Sequence, residues 1–255
     1  MEYFGLPAFD KTGLVKTIYT TSKNTIWKYG EKGSLENFTE LGQSLGLVPE
    51  NMVKTIQKHT SKVRVVTEEN RGEGVVRPIC GIVDGEEATE GYDGLITNEK
   101  KLLLCTVEAD CVPVYLLDTE KKVIGMVHSG WKGTVKKISK VAINKMINAF
   151  GCNVENILVG IGPHICKDCY EVGKDVFDEF KSNNFNLKQI FIEKNDEKYL
   201  LNLEEAVKLT VMECGVPEKN ISSAGYCTLH SEEKFCSYRR TKSSSDRMLT
   251  AIMLV

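Results

Sequence analysis

The 255-residue chain is 42% hydrophobic and 27% charged, enough apolar material to bury a substantial core, and one domain over 1–255 is expected. Its 33 Lys and Arg against 35 Asp and Glu leave a net charge of −2 and a pI near 6.2, which argues against a nucleic-acid partner, since phosphate-backbone affinity needs surplus basic groups on one face. No apolar run approaches the roughly 18–20 residues that span a bilayer, and the start carries no basic and apolar leader pattern. A cytoplasmic protein without a membrane partner, its nine cysteines mostly free thiols, is therefore expected.

Up to about residue 36 the pattern is weak, with short β-like runs. Over 35–47, Leu35, Phe38, Leu41, Leu45 and Leu47 fall near helical spacing, with Gly46 as a stop. Val63 and Val65 alternate with polar neighbours as a half-buried strand does, and 71–91 reads as an exposed, Gly-rich loop. Runs over 102–106, 112–117 and 123–127 are short, apolar and rich in β-branched residues, the mark of central strands. From Thr134 the period changes: Val135, Ile138, Ala142, Met146 and Ala149 line one helical face, and Gly151 follows. A strand is expected at 157–161, helices at 172–180 and 203–214, and closing strands at 221–226 and 249–255. The order mixes α and β without regular βαβ alternation, so the fold class is mixed α/β (α+β).

Three places carry chemistry. His128 ends an apolar strand, and Ser129-Gly-Trp-Lys-Gly133 leads directly into a helix. Glycines at a strand-to-helix turn let backbone approach a ligand, and the free N–H groups of a helix start suit an anion. A buried histidine before a plain helix is the alternative. Cys111 lies in Val107-Glu-Ala-Asp-Cys-Val-Pro113, where Glu108 and Asp110 interrupt apolar sequence and Pro113 speaks against a continuous ladder. That suggests a strand broken to present a site; an inert buried thiol is the alternative. Arg239, Arg240 and Arg247 stand near aromatics and could grip phosphate or stack on a purine, or could be solvated surface charges. His59 alone is uninformative. Cys166-Lys-Asp-Cys169 has C-x-x-C spacing but no second such pair, and reads as loop packing.

Taken in order, Gln57-Lys-His59, Glu108-Ala-Asp-Cys-Val-Pro113, Val127-His-Ser-Gly-Trp-Lys-Gly133, Gly162-Pro-His-Ile, Cys169-Tyr-Glu-Val-Gly173, Cys227-Thr, Phe235 with Ser237-Tyr-Arg-Arg240, and Arg247-Met resemble the landmarks of the YfiH/laccase-domain family. The resemblance implies a layered α/β/β/α fold with mixed sheets and common homodimers. It also implies that His59, Cys111 and His128 are metal ligands. Two imidazoles and one thiolate suit Zn²⁺, with Cu²⁺ as the alternative ion, and leave a position open to activate water near neutral pH. The implied activity is phosphorolysis of adenosine, inosine, guanosine and methylthioadenosine to base and sugar 1-phosphate, with adenosine deamination. The partners are then a purine nucleoside and phosphate.

Within that frame Cys111, His128, His59 and Asp110 are the catalytic candidates, Asp110 for proton transfer. Gly130, Lys132, Gly133, Arg239, Arg240 and Arg247 are the phosphate or substrate candidates. A Cys111–His128 amide hydrolase, as in deamidases of the same layered fold, a copper-dependent polyphenol oxidase, and a metal-stabilised interaction module without turnover are the competing readings. The sequence departs from the family at Lys58, Thr60 and Asp246, in Tyr19-Thr-Thr-Ser-Lys-Asn24, and in the Ser243-Ser-Ser loop.

Overall fold

Alternating burial along short strands builds two stacked sheets with helices outside them. The structure, a computed structural model, describes residues 1–21, 25–195, 197–243 and 246–255, so parts of the divergent stretch at 19–24 and of the serine loop lie outside the described residues. The first sheet has the order β1 (Tyr3–Phe4), β2 (Val15–Thr20), β16 (Met248–Leu254), β8 (Leu103–Glu108), β3 (Met52–Lys54). The second runs β15 (Ile221–Ser223), β11 (Ile157–Ile161), β9 (Val112–Asp118), β10 (Val123–Ser129), β7 (Gly94–Thr97), β4 (Val63–Val65). Both are mixed: β3 runs parallel to β8, β4 to β7 and β15 to β11, while the other pairs are antiparallel. A hairpin of β5 (Ile82–Val83) and β6 (Glu86–Glu87), and a small sheet of β12 (Glu171–Gly173), β14 (Lys198–Leu201) and β13 (Phe191–Asn195), complete the strands.

The period of two assigns the layers. Leu104, Ile252 and Leu254 of the first sheet face Tyr115, Leu117, Ile124 and Met126 of the second in one buried cluster. Their neighbours Leu103, Cys105, Leu249 and Ala251 point the other way, onto Phe38 and Leu41 of α2 (Ser34–Leu45). Beyond the second sheet, Val114, Leu116, Val127 and Val159 pack on Ile138, Ala142 and Met146 of α4 (Ile138–Phe150) and on Val207 and Val211 of α7 (Leu203–Met212). The layers are thus α/β/β/α. Each fully buried Val, Leu, Ile, Phe or Met among them contributes about 1.5–3 kcal/mol. Shorter helices are α1 (Pro7–Asp10), α3 (Trp131–Val135), α5 (Lys174–Ser182), α6 (Leu187–Ile190) and α8 (Tyr238–Thr241). No helix among the described residues is long and apolar enough to cross a membrane.

Four expectations shift. The helix from Thr134 is two helices, α3 and α4, divided at Lys137, whose backbone is left-handed at φ 54°. The apolar stripe survives the break because both helices lie on the second sheet, although Ala149 is exposed. Val172 is in β12, paired with Tyr199, so ladder pairing overrides helical spacing and α5 begins at Lys174. The stretch over 71–91 is partly interior. Glu73 is buried and its carboxylate meets Arg64 Nη1 at 2.6 Å, so polarity here signals a buried ion pair rather than exposure. Pro113 lies inside β9 opposite His128, and the break falls before it, at 109–111, where the chain leaves β8 for β9 and so passes from one sheet to the other.

Candidate metal centre

That passage between sheets carries Cys111. His128 is next to last in β10, the strand beside β9, and its ring is buried. His59 comes from the loop between β3 and β4, reached after Gln57, whose side-chain amide donates to Val107 O at 2.6 Å and accepts from Val107 N–H at 2.9 Å. Gln57 therefore replaces a strand partner for β8 and fixes the His59 loop beside the Cys111 bend. One ligand atom from each of His59, Cys111 and His128 lies within 4.8 Å of the other two; His59 Nε2 is 4.0 Å from Cys111 Sγ, and the imidazole centroids are 5.0 Å apart at 72°.

The organising group is Asp93, just before β7 and fully buried. Oδ1 accepts from the His59 amide at 3.1 Å and contacts His128 Nδ1 at 2.8 Å. Oδ2 accepts from the Thr60 amide at 2.7 Å, the Thr60 hydroxyl at 2.8 Å and the Lys58 amide at 3.3 Å. These bonds hold His59 in a left-handed conformation (φ 58°) that a non-glycine residue adopts only at a cost. They also leave His128 Nε2 as the nitrogen free to meet an ion. Gly130 supplies room beneath: a Cβ there would sit 2.8 Å from His59 Cδ2 and 3.0 Å from Cys111 Sγ. Its φ of −72° suits any residue, so space and not backbone freedom requires glycine.

Charge follows from this packing. Burial pushes the Cys111 thiol up, but the His128 charge and hydrogen bonds from His128 and His59 outweigh it and bring the thiol down to about 6. Burial pushes His128 down, and the Cys111 thiolate together with the Asp93 hydrogen bond outweighs that, lifting the imidazole to about 10. Asp93, despite burial, is held below the usual carboxylate range by His128 and Thr60. Two imidazole nitrogens and a readily formed thiolate, oriented by one carboxylate, fit an N- and S-seeking ion such as Zn²⁺.

The other candidates fall into different places. Asp110, left-handed at φ 84°, spends Oδ1 on the Thr228 hydroxyl at 2.6 Å and Oδ2 on the Arg239 amide at 2.7 Å. Arg240 donates to the carbonyls of Thr228, Leu229 and Phe235, and Arg247 to those of Ser243 and Asp246. Arg239 lies over the Tyr170 ring at 5.2 Å and donates Nη1 to Glu171 O at 2.8 Å. Gly133 passes close to Thr60 O, where a Cβ would come within 3.3 Å, and Lys132 is exposed with its ammonium over Trp131. The triad is brought together, while Arg240 and Arg247 are engaged with carbonyls of their own segment and Arg239 with Glu171 O. Asp93 escapes the sequence reading because Gly91-Tyr-Asp-Gly94 looks like an ordinary polar turn.

Two mixed sheets between helices, with His, Cys and His side chains gathered at their seam, give a layered α/β fold with a candidate metal site. Residues 11–255 match the family model described as multi-copper polyphenol oxidoreductase laccase, and the chain belongs to that family. It is 33% identical over 213 residues to adenosine deaminase RL5 of an unknown prokaryotic organism, covering 83% of this chain and 78% of that protein. It is 32% identical over 219 residues to a purine nucleoside phosphorylase of Bacteroides thetaiotaomicron, covering 86% and 78%. Among solved structures, YlmD from Geobacillus stearothermophilus superposes with a TM-score of 0.86 at 25% identity, over 100% of this chain and 96% of that one. The Bacillus licheniformis hypothetical protein YfiH gives 0.83 at 26%, over 94% and 93%.

Proposed function

We propose that the chain is a zinc-dependent purine nucleoside phosphorylase, acting on adenosine, inosine, guanosine or methylthioadenosine, and that the same centre deaminates adenosine. The observation that carries this reading is the convergence of His59, Cys111 and His128 around one point under the control of Asp93. Relatives named for both activities support it.

His59, Cys111 and His128 would hold the ion, and Zn²⁺ so held supplies a Lewis acid with one coordination position left for substrate chemistry. The chain's own groups do the rest. Asp93 keeps a proton on His128 Nδ1 and so turns Nε2 toward the centre. In phosphorolysis a phosphate oxygen bonds to the anomeric carbon as the glycosidic bond breaks, and the bonding electron pair leaves with the purine, which takes up a proton. Arg239 uses one of its five N–H groups on Glu171 O and offers the rest to the phosphate, with the exposed Lys132 adding positive charge. Asp110, its oxygens engaged by Thr228 and Arg239, acts as a positioning group for Cys111.

Product analysis on adenosine, with and without phosphate, tests this with metal-analysed wild type and the Cys111→Ala variant. Wild type should give adenine with phosphate and inosine without it, and the variant should lose at least ~100-fold of both. Neither product from the wild type would overturn the reading.

One observation favours a second reading: Cys111, His128 and Asp93 also form a thiol, imidazole and carboxylate series, the arrangement of a cysteine amide hydrolase. That enzyme would keep its activity in strong chelator and lose it to iodoacetamide. A multi-copper centre at the triad is disfavoured, because of the two remaining histidines His164 is tied to Gly162 O and Glu204, and His230 groups with Cys166, Cys169 and Cys227 instead of with the triad.

A further inference from the structure

Cys166-Lys-Asp-Cys169 lacks a partner motif in the sequence around it, and the fold brings one from beyond β15. Cys227-Thr-Leu-His230 is a C-x-x-H pair, and the two pairs face each other. One ligand atom from each of Cys166, Cys169, Cys227 and His230 lies within 4.8 Å of all the others, with His230 Nε2 3.0 Å from Cys169 Sγ. Each of these cysteines is a free thiol.

Backbone contacts build the cradle. The amides of Cys169 and Tyr170 both donate to Cys166 O at 3.1 Å, closing the first turn, and Ser231 N–H donates to Cys227 O at 2.9 Å, closing the second. His164 and Cys227 form a parallel bridge that zips the two turns together, with Thr228 N–H donating to His164 O at 3.0 Å. The Cys166 amide donates to Cys227 Sγ at 3.3 Å, and the amides of Leu229 and His230 are directed at the same sulfur.

We propose that Cys166, Cys169, Cys227 and His230 form a second zinc site, structural in role and separate from the His59–Cys111–His128 centre. Four protein donors fill a tetrahedral shell and leave no position for substrate, which marks a structural site. Bond lengths of about 2.3 Å to sulfur and 2.0–2.1 Å to nitrogen place tetrahedral donors roughly 3.5–3.8 Å apart, a spacing these side chains reach by small rotations. With three sulfurs, one imidazole and no carboxylate, the set suits zinc and not calcium or magnesium.

The ion would pin the strap over 227–241. Thr228, next to Cys227, donates to Asp110, and Arg240 holds the carbonyls of Thr228 and Leu229. Asp110 precedes Cys111, so the second site braces the bend that presents a ligand to the first.

Metal content tests this separately from turnover. Untagged protein, purified under reducing conditions and loaded with zinc, should carry about two zinc ions per chain. The His59→Ala/Cys111→Ala variant should keep one, the Cys169→Ser/His230→Ala variant should keep one, and the quadruple variant should keep none. Loss of all zinc from His59→Ala/Cys111→Ala, unchanged zinc in Cys169→Ser/His230→Ala, or a disulfide joining any two of Cys166, Cys169 and Cys227 would overturn the proposal. Should Cys169→Ser/His230→Ala fail to fold, cobalt loading of His59→Ala/Cys111→Ala decides. Thiolate-to-cobalt charge-transfer absorption at the strength of three sulfurs supports the site, and its absence rejects it.

Discussion

Asp93 and His128 are joined twice: His128 Nδ1 meets Asp93 Oδ1 at 2.8 Å, and the His128 amide donates to the Asp93 carbonyl, also at 2.8 Å. The first bond selects the tautomer and the second sets the depth of the strand end that carries the ring. Because the same carboxylate gathers the amides of Lys58, His59 and Thr60, the two proposed imidazole ligands share one anchor.

An Asp93→Asn change replaces one acceptor oxygen by an NH₂ group, which must face either the His128 ring or the Thr60 amide. Zinc affinity at the first centre should fall about 10–100-fold, the usual loss when a ligand's hydrogen-bonded carboxylate is changed. Competition against a chromophoric chelator measures it. Unchanged affinity would mean that packing alone orients His128.

Gly130→Ala separates the centre from the fold. The new methyl group meets His59 and Cys111, while the backbone at Gly130 tolerates alanine. Zinc at the first centre should be lost or weakened at least ~10-fold with the circular dichroism spectrum unaltered. A variant with normal zinc affinity would show that the three side chains spread without penalty.

Glu108 gives a pH signature. Burial, outweighing the favourable His128 charge and the hydrogen bonds of Thr106 and Thr250, raises its carboxyl from 4.5 to about 7. Oε2 accepts from Thr250 at 2.6 Å, and Oε1 is buried without a hydrogen-bond partner among the described residues. Between about pH 4.5 and 7 the folded chain keeps a proton that the unfolded chain releases, so stability associated with the neutral acid is full below about 4.5 and lost as pH rises through 7. Glu108→Gln, neutral throughout, should match wild type near pH 4 and exceed it at pH 8 by up to ~3 kcal/mol. Urea unfolding of both proteins at the two pH values checks this; a difference that stays constant with pH would contradict it.

Much of the layering was readable from alternation. Leu103, Leu104 and Cys105 announce a strand buried on both faces, and the helical stripe of 35–47 is α2 with Gly46 as its left-handed cap. The grouping of His59, Cys111 and His128 was legible only as part of an ordered set of motifs, since three separate segments supply it and no local spacing joins them. Asp93 and the Cys227/His230 pair were not legible. A carboxylate whose role is to receive three backbone amides and one imidazole has no periodic or spacing signal, and a C-x-x-H pair declares itself only once β15 sets it beside Cys166. Arg240 and Arg247 were legible only as charge near aromatics, because a guanidinium that ties carbonyls and one that is free to meet an anion look identical in sequence.

The position of β16 between β2 and β8 has a kinetic consequence. Until the residues over 248–254 insert into the middle of the first sheet, β8 has no neighbour on one edge, and the bend that follows it has no defined direction. The bend at Cys111 should therefore be among the last features to mature, gated by a pairing between segments distant in the chain, the kind that closes slowly. Zinc uptake at the first centre should then trail secondary-structure formation during refolding, making the metal a reporter of the completed sheet and not a nucleus for it.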